Sequence, residues 1–276
     1  MLHSHVIRRS LPLLLILALV PAAGADAAVS RKKAIAGPVE FEGESQFPTY
    51  AALGAGIYIA TLDRKTVAVQ APADPKDPED PGYQWPADLD EAVTEAAKYH
   101  IEIALTVKAA DAGFATAAAR RFPSVHLWVV PQSASTPASR YRTTLDGVYT
   151  ALKARSTKNR VVADPRSAKT IKGAKLDLYG FTPAKGKRLP DLAKLHDGVG
   201  KDLFLMGWTL NTGGSGAATT IASAFKTVKN APYVYTLGYD GLYDTDVVGS
   251  DGRIPKTGLL DNTGTKRPAF TAFKNA

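Results

Sequence analysis

The runs Ile101-Glu102-Ile103-Ala104-Leu105-Thr106-Val107 and Val125-His126-Leu127-Trp128-Val129-Val130 decide the fold class of this chain. Both are short, rich in β-branched and aliphatic side chains, and almost continuously apolar. That is the pattern of a strand covered on both faces. Runs of the same kind recur at residues 39–42, 57–62, 160–163, 176–180, 203–206 and 234–238. Helical patterns fill the intervals. Asp88, with Glu91 three residues on, predicts a capped helix start whose buried stripe is Leu89, Val93 and Ala97. Thr136-Pro137 opens a helix in which Tyr141, Leu145, Val148 and Leu152 share one face. Pro190 starts another with Leu192, Leu195 and Val199 inward. Ile221, Phe225 and Val228 mark the next, and Pro268 begins a last one with Phe270 and Phe273. Eight strands alternating with helices predict a parallel sheet. The length of 276 residues, near the ~250 of a (β/α)8 barrel, favours the closed TIM-barrel form. An open doubly wound parallel sheet is the alternative, although no G-x-G-x-x-G follows the first strand.

Composition narrows the function classes. With 45% hydrophobic and 22% charged residues the chain is globular, not disordered or fibrous. It has no Cys, which removes disulfides, thiolate metal sites, Fe–S clusters and cysteine nucleophiles. A net charge of +8 is moderately basic and favours anionic polymers or surfaces without naming one. The basic runs at 31–33, 153–160, 169–175 and 185–188 carry no interleaved aromatics, so they read as solvated surface, with no nucleic-acid partner. At the start, Arg8 and Arg9 precede an apolar run over 11–20, and Ala25-Asp26-Ala27 follows. This is the pattern of a secretory signal peptide over 1–27, leaving 28–276 as one barrel in a secreted or cell-envelope protein. The apolar run is shorter than the ~20 residues a membrane span needs.

Several collinear pieces carry a resemblance. They are Gln84-Trp85-Pro86-Ala87-Asp88-Leu89-Asp90, Arg120-Arg121-Phe122-Pro123-Ser124-Val125 with His126-Leu127-Trp128, and Asp177-Leu178-Tyr179-Gly180. Tyr235-Thr236-Leu237-Gly238-Tyr239, Gly241-Leu242-Tyr243-Asp244, Gly258-Leu259-Leu260-Asp261 and Lys266-Arg267-Pro268-Ala269-Phe270 complete the set. In this order the chain resembles secreted bacterial glycoside hydrolases of the clan of retaining (β/α)8 barrels, most of all cellulase- or xylosidase-like members. The resemblance implies an acid/base Glu ending the fourth strand and a nucleophile Glu ending the seventh. Here those positions fall on Ser133 and Gly207. No acid occurs from Pro123 through Tyr141 or between Asp202 and Thr220. An Arg implied near the end of the second strand is replaced by Asp63, with Arg64 beside it. The loops after strands three and four are short.

Other residues offer alternative chemistry. Asp63, Asp164, Asp240 and Asp244 follow the second, fifth and eighth predicted strands, and a pair such as Asp164 and Asp240 would act as acid and base if burial separated their pKa values. Trp208, Tyr179, Phe181, Tyr239 and Tyr243 fall at or past strand ends, where they either stack on sugar rings or fill space beneath loops. His100, His126 and His196 form no metal-ligand pattern, and no G-x-S-x-G elbow occurs. Gly213-Gly214-Ser215-Gly216 precedes a helix and lacks the Lys of a P-loop. The segment 74–81 reads as an extended, solvated Pro-rich loop in preference to a calcium site. Asp240, Asp244, Asp246 and Asp251 offer oxygen ligands without EF-hand spacing. The expectation is a barrel without cofactor or metal that binds a polysaccharide or cell-envelope glycan. A glycosidase using displaced carboxylates and a non-enzymatic envelope protein with a partner-binding surface are the alternatives.

Overall fold

The computed structural model describes residues 29–244 and 254–276. Eight parallel strands close into one barrel: β1 Ser30–Ala36, β2 Ala55–Asp63, β3 Glu102–Lys108, β4 Leu127–Pro131, β5 Arg160–Asp164, β6 Leu178–Phe181, β7 Leu203–Trp208 and β8 Val234–Asp240. Each pairs with its sequence neighbours, and β1 pairs with both β2 and β8, so the sheet has no edge. Closure rules out the open doubly wound alternative. The helices are α1 Phe47–Ala52, α2 Arg64–Val67, α3 Ala87–Lys98, α4 Ala112–Arg121, α5 Ala138–Arg155, α6 Leu192–Val199, α7 Ala217–Lys229 and α8 Pro268–Asn275. Only a 3-10 turn, Ala168–Ile171, follows β5. None of the described helices is long and apolar enough to cross a membrane.

Alternation along each strand builds two apolar layers. Ala34, Ile57, Ala104, Leu127, Val129, Val162, Leu178, Phe204 and Met206 fill the barrel interior. Their neighbours of opposite parity, such as Ile35, Leu105, Trp128, Val161 and Leu205, pack under the helices. The stripe expected on α5 is buried as read, and so are Ile221, Phe225, Val228, Phe270 and Phe273. On α3 the buried face is Leu89, Ala92 and Ala96, with Val93 half-buried and Ala97 exposed. Pro86 occupies its N-cap, and Asp88 sits inside the first turn without making a cap. Helix α4, unread in the sequence, starts where the Asp111 carboxylate accepts the Phe114 N–H at 2.9 Å.

The first strand corrects the reading of 39–42. That segment holds only the two-residue strand Glu40–Phe41, paired with Glu44–Ser45. The barrel strand lies earlier and contains the basic run 31–33, in which Arg31 is exposed as read but Lys32 and Lys33 are not free surface. Lys33 points outward yet is only 7% exposed. Its Nζ donates to the carbonyls of Phe273 at 2.9 Å, Lys274 at 3.0 Å and Leu53 at 3.3 Å. The C-terminal carbonyls of α8 thus solvate the ammonium. Burial, with Lys229 nearby, lowers its pKa to about 8. Lys32 likewise donates to Ala231 and Val234 carbonyls.

The segment 74–81 is not extended. Asp77, Asp80 and Tyr83 each donate a backbone N–H to the carbonyl three residues earlier. The Asp74, Asp77 and Asp80 carboxylates accept backbone N–H groups within the same turns. The loop is fastened by Tyr83 Oη to the Pro75 carbonyl and Trp85 Nε1 to the Pro78 carbonyl, both at 2.8 Å.

Candidate functional site at the barrel mouth

In a closed barrel the C-terminal strand ends form an open face supplied by eight loops. Among the described residues, the strand ends at this face carry polar side chains, and Thr61 and Asp240 are exposed. Ile59, on the inward parity of β2, is half-buried, and Thr61 one step higher is exposed. Thr106 and Lys108 continue the wall on β3, in register with Thr61 and Asp63. Asp63 is committed elsewhere: its carboxylate accepts the Lys65 N–H at 3.0 Å and caps α2. Arg64 pairs with Asp111 at 2.8 Å.

Two carboxylates stand in the mouth. Asp164 ends β5 with inward parity and lies beside Gly180, where a Cβ would come 3.0 Å from the Asp164 Cβ. Its side chain makes no hydrogen bond or ion pair with a described residue. Burial pushes its pKa up to about 6. Asp240 ends β8 next to Ala36 of β1. It is solvent-accessible but walled in, so burial raises its pKa while the nearby Lys185 works the other way. Two strands intervene between β5 and β8, so the two Cα positions lie about 14 Å apart along the wall.

The positions implied for the paired glutamates are occupied differently. Ser133 is exposed on the loop after β4, its Oγ bonded to Thr136 Oγ1 at 2.6 Å and Ser135 Oγ at 3.3 Å. Gly207 has φ +66°, and an added Cβ would meet the Thr182 methyl at 3.2 Å. The β7–β8 register shifts at this point. Left-handed backbone favours glycine over any side chain bearing a Cβ.

The aromatic residues fill space beneath the loops. Trp208 and Tyr239 have no exposed surface, and Tyr179 is buried beneath the helices. Trp208 Nε1 donates to the Lys187 carbonyl at 2.9 Å, and its ring meets Tyr239 edge-on. Tyr239 Oη donates to the Thr257 carbonyl at 2.9 Å. Tyr243 is half-buried, stacks on Phe41 and donates to Gln46 Oε1 at 2.8 Å. Phe181 is also half-buried, against the outer layer.

Asp244 is engaged by Arg267. Burial pushes its carboxyl up, but the guanidinium and the Gly258 N–H outweigh it, leaving the pKa below the usual carboxylate range. Asp246 and Asp251 lie outside the described residues, as does the expected signal segment 1–27. Among the described residues no three His, Asp or Glu side chains cluster to hold a metal ion. His126 binds Asn159 before β4, His196 stacks on Tyr233 outside the barrel, and His100 is exposed after α3.

Two concavities border the face. One of about 500 Å3 lies between the loops after β4 and β5, lined by Gln132, Ser135, Thr136, Arg166 and Thr170. The other, about 550 Å3, lies beyond β6–β8 and is lined by Lys185, Gly186, Thr209, Leu210, Asn211 and residues 254–257. Lys185 belongs to the basic run 185–188 that reads as solvated surface, and Lys256 carries no signal of its own in the sequence. Nothing local in the sequence brings those two lysines together; the barrel does.

No family model matches the chain, and no curated protein matches it. Solved structures do match in fold. A family 39 glycoside hydrolase from Bacteroides cellulosilyticus WH2 superposes with a TM-score of 0.67 at 13% identity, over 90% of this chain and 63% of that one. This chain thus spans less than two thirds of that enzyme's length. Xylanase B from Clostridium stercorarium F9 gives 0.64 at 12% identity, covering 89% and 96%. A xylanase from Paenibacillus barcinonensis gives 0.62 at 11% identity, covering 91% and 99%. At these identities the shared property is the barrel itself.

Proposed function

We propose that this chain is an exported glycoside-hydrolase-like barrel that binds a polysaccharide or cell-envelope glycan at its mouth without hydrolysing it. The observation that carries this reading is what ends β4 and β7. A retaining glycosidase needs two carboxylates about 5–5.5 Å apart. Those two strands end in Pro131-Gln132-Ser133 and Gly207-Trp208-Thr209 and supply none. The polar strand ends of the mouth, exposed at Thr61 and Asp240, and the glycoside hydrolase names of the fold relatives support a carbohydrate ligand. Export rests on the signal-peptide pattern over 1–27. The buried aromatics leave recognition to polar groups at the strand ends.

The test is a calorimetric titration of the mature protein against soluble plant and cell-wall oligosaccharides, with reducing ends measured on the same samples. Binding without new reducing ends is the expected result. Release of sugar would instead favour the second reading, a glycosidase using displaced carboxylates. One observation favours that reading: Asp164 and Asp240 both enter the mouth, and burial raises both. Asp164→Asn and Asp240→Asn would then each abolish release in a folded protein.

A further inference from the structure

Lys185 and Lys256 reach one pocket from two different loops, and the backbone beside each is pinned. The Gly186 N–H donates to the Thr209 carbonyl at 2.8 Å, tying the loop after β6 to the end of β7. The Lys256 carbonyl accepts from Thr212 twice, from N at 2.8 Å and from Oγ1 at 3.0 Å. The Lys256 stem lies over Gly213, where a Cβ would stand 2.9 Å from its Cδ. Neither ammonium makes a hydrogen bond or salt bridge with a described residue. Thr209, in the same wall, buries a hydroxyl that has no hydrogen-bond partner among the described residues.

Cations without a hydrogen-bonded or salt-bridged partner among the described residues, held at a concave site on pre-set backbone, select an anion. Charge balance narrows its kind. Asp240 lies near Lys185, so Lys185, Lys256 and Asp240 together leave one net positive charge. A monoanion such as a carboxylate neutralises that excess, whereas a free or terminal phosphate dianion leaves negative charge unmatched beside Asp240. Building on the reading of the mouth as a glycan site, we propose that this pocket is an anion subsite for the carboxylate of a uronic acid residue, which makes the ligand an acidic glycan.

The test compares an oligogalacturonate and a glucuronic acid oligomer with their methyl esters, which keep the sugar and remove the charge. Each is titrated calorimetrically at low and moderate salt into the wild-type chain, Lys185→Ala, Lys256→Ala and the double variant. At least one acid form should bind roughly tenfold or more tightly than its ester, with the preference shrinking as salt rises. The double variant should bind acid and ester alike, at the ester's affinity. Equal binding of acid and ester by the wild type overturns the subsite and leaves glycan binding standing. So does a preference that survives in the double variant, or neutral glycans binding while neither acid oligomer does. Displacement of the acid oligomer by inorganic phosphate at comparable concentration overturns the uronate assignment in favour of a phosphoryl group. Failure of every glycan to bind removes both the subsite and the reading it rests on.

Discussion

Asp164 is a carboxyl placed where its neutral form is the comfortable one. Its folded pKa of about 6 lies above the 3.8 of a solvated aspartate. Its contribution to stability is therefore full below about pH 4 and is lost as the pH rises through 6. Asp164→Asn keeps the shape and removes the titration. In urea unfolding the Asn variant should match wild type near pH 4 and exceed it at pH 7 by up to about 3 kcal/mol. A difference that does not change with pH would mean that the mouth hydrates this carboxylate after all. Gly207 makes a second point at this scale. Its φ of +66° disfavours any residue bearing a Cβ. Gly207→Glu should cost about 1–2 kcal/mol, and Ser133→Glu/Gly207→Glu should gain no glycosidase activity. Appearance of reducing ends in that double variant would contradict the backbone argument.

Among the elements, β1 is held by a charge that has lost its water. Lys33 delivers its ammonium to three carbonyls, two of them in the last turn of α8. Lys33→Ala removes the donor and should destabilise the barrel by about 2–3 kcal/mol. Amide exchange should then accelerate in α8 more than in α5. Uniform acceleration would show that the lysine does not tie that helix down. The same residue explains what was legible in the sequence. β4 and β3 could be read because both their faces meet apolar partners, so composition alone marks them. β1 could not, because its lysines are solvated by carbonyls from residues some two hundred positions away. Helix α4 was missed although its N-cap, Asp111, is a local signal. The Pro-rich segment 74–81 was misjudged because the carboxylates of its aspartates close successive turns. At the site, the absence of acids ending β4 and β7 was readable directly. The aromatics were not, since position at a strand end does not say whether Trp208 faces the mouth or the helices.

At the scale of the whole molecule, the mouth is braced by one buried ion pair. Arg267 grips Asp244 through both nitrogens and also donates to Thr212 Oγ1 and the Gly258 carbonyl. Thr212 in turn holds Lys256. Both charged side chains are largely buried, 13% and 7% exposed. Breaking the pair by Arg267→Ala leaves an uncompensated carboxylate and should cost about 3–5 kcal/mol in chemical denaturation. A cost below about 1 kcal/mol, the value of a surface pair, would contradict that view. A mouth that binds a glycan and leaves it intact must do both in the same sample. One NMR titration reads both halves, following the protein's amide shifts and the sugar's anomeric protons in a single tube. Shifts should concentrate at Gly186, Asn211, Asp240 and Lys256, and the anomeric spectrum should stay unchanged after prolonged incubation. New anomeric signals, or shifts confined to the opposite face around Arg31, Glu102 and Tyr235, would contradict that reading of the mouth.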